Sequence, residues 1–267
     1  MIKKNIYQMS NRLHKTIALF SDIHFSKKYP EHILTEIVKN IETNKPDYIC
    51  IPGDIIDDAS VLTDEKLVEQ LTQFLIQLSS LAPVIISYGN HDEVLLRFHK
   101  ATYQNTTSFF HQLNDLSNIY FLDNSSVILG EINFIGYHPN YSYYKSKEQI
   151  KFENIDDIKK NIVPNYCNIL LCHSPIQILN YSLPVDYILS GHMHNGLVPF
   201  HFQKIGNNRG LVGPYYSFFP KLSRGLVTKD KTKLIITGGV RKISNSSSIV
   251  LRPFNLFYPI DIDYIQL

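Results

Sequence analysis

The sequence predicts an α/β protein organised around two sheets, and three features carry that expectation. Short apolar runs, each closing on polar residues, alternate with stretches whose apolar positions recur at helical spacing. Two β-α-β crossovers early in the chain imply parallel strands with helices on their faces. After Ile119 the apolar runs shorten and turn residues crowd between them, which predicts strands of a second sheet.

The first run, Thr16 to Phe20, reads as a buried strand that delivers Ser21-Asp22-Ile23-His24 at its carboxyl end. From Glu31 to Thr43, Ile33, Leu34, Ile37, Val38 and Ile41 form one helical stripe, which Pro46 terminates. Asp47 to Ile51 is the next strand and ends in Pro52-Gly53-Asp54. A second helix carries Leu67, Val68, Leu71, Phe74, Leu75 and Leu78, and the strand opening at Pro83 runs to Tyr88-Gly89-Asn90-His91-Asp92-Glu93. A third helix is predicted from Glu93 to about Thr102, with Asp92 as its cap, and a fourth from Thr107 to Leu116. Ile119 to Leu122, Ser126 to Leu129 and Ile132 to Ile135 read as an antiparallel meander. Lys145 to Ile162 is polar and helical, with a solvated face. Asn168 to Cys172 is a buried strand ending at His173, and a further helix leads to Val185 to Leu189, which ends in Ser190-Gly191-His192-Met193-His194. Lys233 to Thr237 and Asn255 to Leu267 add strands. Nothing marks an internal repeat or a linker, so one domain over 1–267 is expected.

Twenty-six basic residues against 24 acidic ones leave a net charge of +2, so no global field points to nucleic acid. Cys50, Cys167 and Cys172 are odd in number and lie in or beside apolar runs, which suits reduced, packed thiols better than a disulfide framework. No run approaches the ~18 apolar residues of a membrane span, and the basic N-terminus lacks a signal-peptide core. A soluble, cytoplasmic protein is expected, with contact at a membrane surface left open.

Five strand ends carry the chemistry: Asp22 and His24; Asp54; Asn90 and His91; His173; His192 and His194. In α/β sheets the ligand crevice lies beyond the carboxyl ends of the strands, where residues distant in sequence converge. Asp22/His24 and His192/His194 are i, i+2 pairs, which point the same way in extended backbone. Oxygen and imidazole donors without thiolate suit Mn, Fe or Zn. Seven donors exceed one open tetrahedral site and suit two cations sharing a carboxylate, with Asp54 as the bridge. Two cations roughly 3.5 to 4 Å apart hold a hydroxide nucleophile and stabilise the entering and leaving oxygens of an in-line displacement at phosphorus. Taken singly, each group also has an ordinary reading as a turn or a hydrogen-bonded core residue.

Ser21-Asp22-Ile23-His24, Gly53-Asp54, Gly89-Asn90-His91-Asp92, His173 and Gly191-His192-Met193-His194 together resemble the five-block signature of calcineurin-like metallophosphoesterases, across about residues 16 to 196. The resemblance implies a four-layer α-β-β-α sandwich with mixed sheets and a dinuclear site at its rim. It implies that Asp22, His24, Asp54 and His194 hold one divalent metal and that Asp54, Asn90, His173 and His192 hold the other. It further implies that His91 stabilises the transition state and protonates the leaving oxygen, with Asp92 orienting its ring. Where many relatives carry glycine after the last histidine, Asn195 stands here. Asn195, His138 and the segment from Gly213 to Pro220, with Lys221 and Arg224, are the candidate substrate lining. That segment reads first as a self-packed loop; its aromatics also suit a nucleobase or a membrane interface near a lipid-linked phosphate. The expected activity is hydrolysis of a phosphoester, with no obligate protein partner. A nucleic-acid or cyclic-nucleotide phosphodiesterase is the alternative, although basic residues are scattered, and a non-catalytic scaffold is the rival from another class.

Overall fold

The computed structural model describes residues 2–9, 12–95, 107–139, 142–145, 155–176, 178–199, 202–203, 208–214, 218–240 and 260–267. Among the described residues, twelve strands lie in two six-stranded sheets. The first sheet contains β1 (Ile2–Gln8), β2 (Thr16–Leu19), β3 (Tyr48–Pro52), β4 (Val84–Ser87) and β5 (Ile119–Phe121). The second contains β6 (Ser126–Leu129), β7 (Ile132–Tyr137), β8 (Cys167–Cys172), β9 (Tyr187–Ser190), β10 (Gly225–Lys229) and β11 (Thr232–Ile236), while β12 (Ile260–Gln266) returns to the first. Their spatial orders are β1-β12-β2-β3-β4-β5 and β10-β11-β9-β8-β7-β6. Both sheets are mixed: β2, β3 and β4 run parallel and β12 antiparallel to β2, whereas β7, β8 and β9 run parallel and β6 antiparallel to β7.

Alternation along each strand builds the layers. On β2 and β3, Ala18, Ile49 and Ile51 pack toward helices α1 (Glu31–Asn44) and α2 (Glu65–Leu81). Their neighbours Ile17, Leu19 and Cys50 face the other way and meet Phe134, Ile169, Leu171 and Leu189 of the second sheet. Leu170, Cys172 and Ile188 then pack outward on Tyr143, Ile158, Ile178 and Leu183. Three apolar clusters between four layers make the expected sandwich. Among the described residues the outer layer holds short helices at Ser142–Lys145 and Ile155–Lys160.

Several elements differ from the sequence expectation. Ile119–Phe121 does not join a meander: it pairs parallel with β4, and Ile119 and Phe121 bury on the α2 side. The turn after Leu122 carries the chain between sheets, so of these three strands β6 and β7 alone pair as a hairpin. After His173 a single 3-10 turn at Ile178–Asn180 replaces the expected helix, since Pro175 and Pro184 leave too little unbroken chain. The third helix, α3 (Asn90–Leu95), starts a turn early, so Asp92 lies within it rather than before it. The fourth is helical over 107–112 and tightens to 3-10 at Leu113–Asp115. Residues 96–102, 146–154 and 255–259, over which helix or strand was expected, lie largely outside the described residues. Strands β1 and β10 were not foreseen. Among the described residues no helix is long and apolar enough to cross a membrane.

Candidate metal centre

The parallel arrangement of β2, β3 and β4 places their carboxyl ends side by side, and β8 and β9 do the same in the facing sheet. The loops leaving them are stitched together by backbone hydrogen bonds: Asp22 N–H donates to Gly53 O (3.2 Å), His24 N–H to Asp54 O (3.0 Å) and Gly191 N–H to His173 O (3.0 Å). Gly53, at φ 86°, and Gly89 touch back to back; a Cβ on Gly89 would lie 2.2 Å from the Asp54 amide nitrogen. Only glycine permits that approach. Asp22, His24, Asp54, His192 and His194 have φ of 55, 49, 55, 69 and 43°. Left-handed backbone in residues with a Cβ costs on the order of 1 to 3 kcal/mol each and persists where surrounding structure enforces it.

Those turns aim the side chains at one another. His24 Nε2 lies 3.7 Å from Asp22 Oδ1 and 3.5 Å from Asp54 Oδ2. His194 Nε2 is 3.5 Å from Asp22 Oδ1. On the other side, His173 Nε2 is 3.2 Å from Asp54 Oδ2 and 3.8 Å from Asp22 Oδ1. A single oxygen of Asp54 therefore faces histidines from both sheets. His173 is held by its other nitrogen, whose N–H donates to Pro52 O at 2.6 Å, and this turns Nε2 inward toward the carboxylates.

The donor set fits divalent cations. Asp22 Oδ1, Asn90 Oδ1, His173 Nε2 and His192 Nε2 are all buried and make no hydrogen bond among the described residues. Leaving so many buried polar atoms unmatched is costly unless something else meets them. Asp22 and Asp54 are fully buried within 4.8 Å of each other and of His173. Two such charges repel by on the order of 3 to 4 kcal/mol at an effective dielectric of about 20. Burial works against both carboxylates, yet neighbouring histidines, chiefly His194 and His173 for Asp22 and His173 and His91 for Asp54, hold them below the usual range. Burial and the charge of His173 push His192 down to about 3, which keeps its ring neutral as a ligand must be.

His91 borders this cluster, its side chain 37% exposed toward a cavity of about 260 Å³. The partner that the sequence reading gave it is wrong. Asp92 is wholly buried and accepts from the backbone amides of Ile55, Ile56 and Gly89, each at 3.0 Å, tying the turn after Asp54 to the start of α3. Successive helical side chains diverge by about 100°, so Asp92 cannot turn to the ring beside it. Asp57 faces His91 instead, with Oδ1 3.4 Å from its Nδ1, and the same oxygen lies 3.0 Å from His24 Nδ1. Asp57 was missed, although its place three residues after Asp54, in the same loop, was a usable signal.

The substrate assignments also change. His138 does not line the cavity; its Nε2 lies 2.8 Å from Asp123 and its ring stands edge-on to Tyr88. Asn195 does not line the cavity either; its amide donates to Asp261 Oδ2 at 2.6 Å. Arg224 is buried, its guanidinium given to the backbone oxygens of Gln203, Asn195 and Arg209. From the expected segment, Gly213 and Pro214 do line the cavity, together with Leu197 and Val212, which the sequence reading did not name. Residues 215–217 lie outside the described residues.

Layered mixed sheets with an Asp, His and Asn cluster at one rim define the class of metallophosphoesterase sandwiches. Residues 15–196 match the family described as calcineurin-like phosphoesterase, and the chain belongs to that family. An uncharacterized metallophosphoesterase of Helicobacter pylori is 30% identical over 190 residues, covering 69% of this chain and 46% of the relative. Another, from Campylobacter jejuni, is 26% identical over 232 residues, covering 84% of this chain and 53% of the relative. The chain thus spans about half the length of the curated relatives it matches. The crystal structure of a dimetal phosphatase from Danio rerio aligns with a TM-score of 0.48 at 11% identity, over 85% of this chain and 88% of that one.

Proposed function

We infer that the protein is a dinuclear metal-dependent hydrolase of phosphoesters. The observation that carries this reading is the convergence of Asp22, His24, Asp54, Asn90, His173, His192 and His194, with buried donor atoms left unmatched, beside an open cavity. Asp22, His24, Asp54 and His194 would hold one cation, and Asp54, Asn90, His173 and His192 the other. When bound, such ions supply Lewis-acid polarisation of the phosphoryl group and lower the pKa of a water molecule.

The protein's own groups do the rest. Pro52 O and Asp57 fix the His173 and His24 rings so that each turns Nε2 toward the carboxylates. His91 stands at the cavity, where its imidazole can interact with a phosphoryl oxygen and donate a proton to the leaving oxygen. Asp57 is the group placed to orient it. Leu197, Val212 and Pro214 form an apolar wall across from these donors and limit water around the ester.

Hydrolysis of p-nitrophenyl phosphate and of its bis ester, by chelator-stripped protein with Mn²⁺ or Zn²⁺ restored, tests the reading. Turnover that returns with metal and is missing in Asp54→Asn supports it. Two bound metals with no turnover of either ester would favour the scaffold reading.

A further inference from the structure

The three most exposed large apolar side chains among the described residues are Phe218 (75%), Phe219 (63%) and Phe202 (60%), with Leu211 next to them at 45%. Of these, Leu211, Phe218 and Phe219 lie together. Leu211 and Phe219 are joined by a backbone hydrogen bond of 3.0 Å, and Val212 bridges Phe218 in antiparallel fashion. Val212, Gly213 and Pro214 continue directly from that ladder into the wall of the metal-site cavity. An apolar ridge thus runs from open solvent to the cavity mouth. The self-packed loop expected from the sequence would have buried these rings.

Charge gives the ridge a direction. From Asn195 to Lys229 the chain has no Asp or Glu, but it has Lys204, Arg209, Lys221, Arg224 and Lys229. Arg209 and Lys221 are exposed beside the ridge, whereas Arg224 is consumed inside the loop. Exposed aromatic rings flanked by exposed cations, with acids excluded from the whole segment, match the interface of an anionic bilayer, where rings settle at headgroup depth and cations meet phosphate. A nucleic acid would ask for a longer basic track than Arg209 and Lys221 supply beside the ridge.

We propose that Leu211, Phe218 and Phe219, flanked by Arg209 and Lys221, form a docking ridge for an anionic lipid bilayer, which sets the mouth of the metal-site cavity against lipid headgroups. The ridge, not the chemistry of the cavity, carries this inference.

Flotation of the metal-free protein with vesicles of equimolar phosphatidylglycerol and phosphatidylcholine, or of phosphatidylcholine alone, tests it. The wild type is expected to float with the anionic vesicles and weakly with the neutral ones. The double variant F218S/F219S should lose about tenfold or more in partitioning, the order expected for two rings leaving the interface. Lys221→Glu should weaken binding in the same direction, as should added salt. Unchanged melting temperatures of the variants exclude misfolding as the cause, and both phenylalanines are already solvent-exposed. Failure of the wild type to float, equal capture by neutral vesicles, or undiminished flotation of the double variant would overturn the proposal. So would a wild-type dimer that the double variant abolishes without any vesicle binding, since the ridge would then belong to a second copy. Because no metal is present in the assay, its failure leaves the phosphoesterase reading standing, and absence of ester turnover leaves the docking ridge standing.

Discussion

Asp57 shows how one carboxylate can serve two neighbours. Its Oδ1 lies 3.0 Å from His24 and 3.4 Å from His91, so it faces one ring turned toward the buried carboxylates and one that lines the cavity. Removing it should therefore do two things at once. Asp57→Asn is expected to lower turnover or metal affinity by about 10- to 100-fold, the usual scale for a group that orients a ligand from behind. His91→Ala should separate the roles, keeping the metal content of the wild type while turnover falls by about 100-fold or more. Metal analysis beside the ester assay checks both, and loss of metal in His91→Ala would remove that residue from its proposed role. The residue types around the site were legible because strand ends deliver them in order. The Asp57 contact was not, since adjacency in sequence favoured Asp92, and the geometry of a helical turn overrules adjacency. Asn195 was misread for a related reason: left-handed backbone at φ 55° swings its amide toward Asp261. Asn195→Ala should accordingly reduce thermal stability by the order of 1 kcal/mol while KM for a soluble ester changes little, which melting curves and initial rates will show.

Among the elements, the loops after β3 and β4 are the ones that the site can least tolerate altering. A Cβ on Gly89 would sit 2.2 Å from both Asp54 N and Asp54 Oδ1, and a Cβ on Gly53 would sit 2.3 Å from Gly89 N. Neither backbone can give way without moving the carboxylate that faces both histidine groups. Gly89→Ala is expected to bind fewer than two metals per chain while keeping its far-ultraviolet circular dichroism, because the sheets themselves do not depend on that turn. Helices α1 and α2 and the strands of the parallel centre were readable, since their apolar periodicity is set by burial on one or two faces. Strand β5 was legible as a strand but not in its sheet; its parallel pairing with β4 comes from long-range register. Strand β1 escaped because Lys3, Lys4 and Asn5 interrupt its apolar pattern, and its pairing with β12 spans almost the whole chain. Edge strands of this kind take their order from a partner rather than from their own sequence.

For the molecule as a whole, two linkages follow. Asp263 is buried in β12 beside Asp261, and burial, then that neighbouring charge, raises its pKa despite hydrogen bonds from Asn5 and Thr237. An acid with a raised folded pKa stabilises the fold while protonated, so its contribution is complete at low pH and fades as pH rises through the folded pKa. Each unit of such a shift is worth about 1.4 kcal/mol. Asp263 therefore contributes to a lower melting temperature of the metal-free protein at about pH 8 than at about pH 5, and Asp263→Asn should shift the pH 8 minus pH 5 difference upward relative to the wild type; a shift in the other direction would contradict the assignment. Metal acts in the opposite sense to this loss. Each cation at about 100 times its Kd would add about 2.7 kcal/mol, which for a chain of this size raises Tm by about 5 to 10 °C per ion. If one Asp/His/Asn cluster holds two ions around Asp54, the number of metals bound per chain shows it. Elemental analysis of the wild type after dialysis with Mn²⁺ or Zn²⁺ should give two per chain, and Asp54→Asn fewer than two. No more than one in the wild type, or an unchanged count in Asp54→Asn, would contradict the dinuclear account.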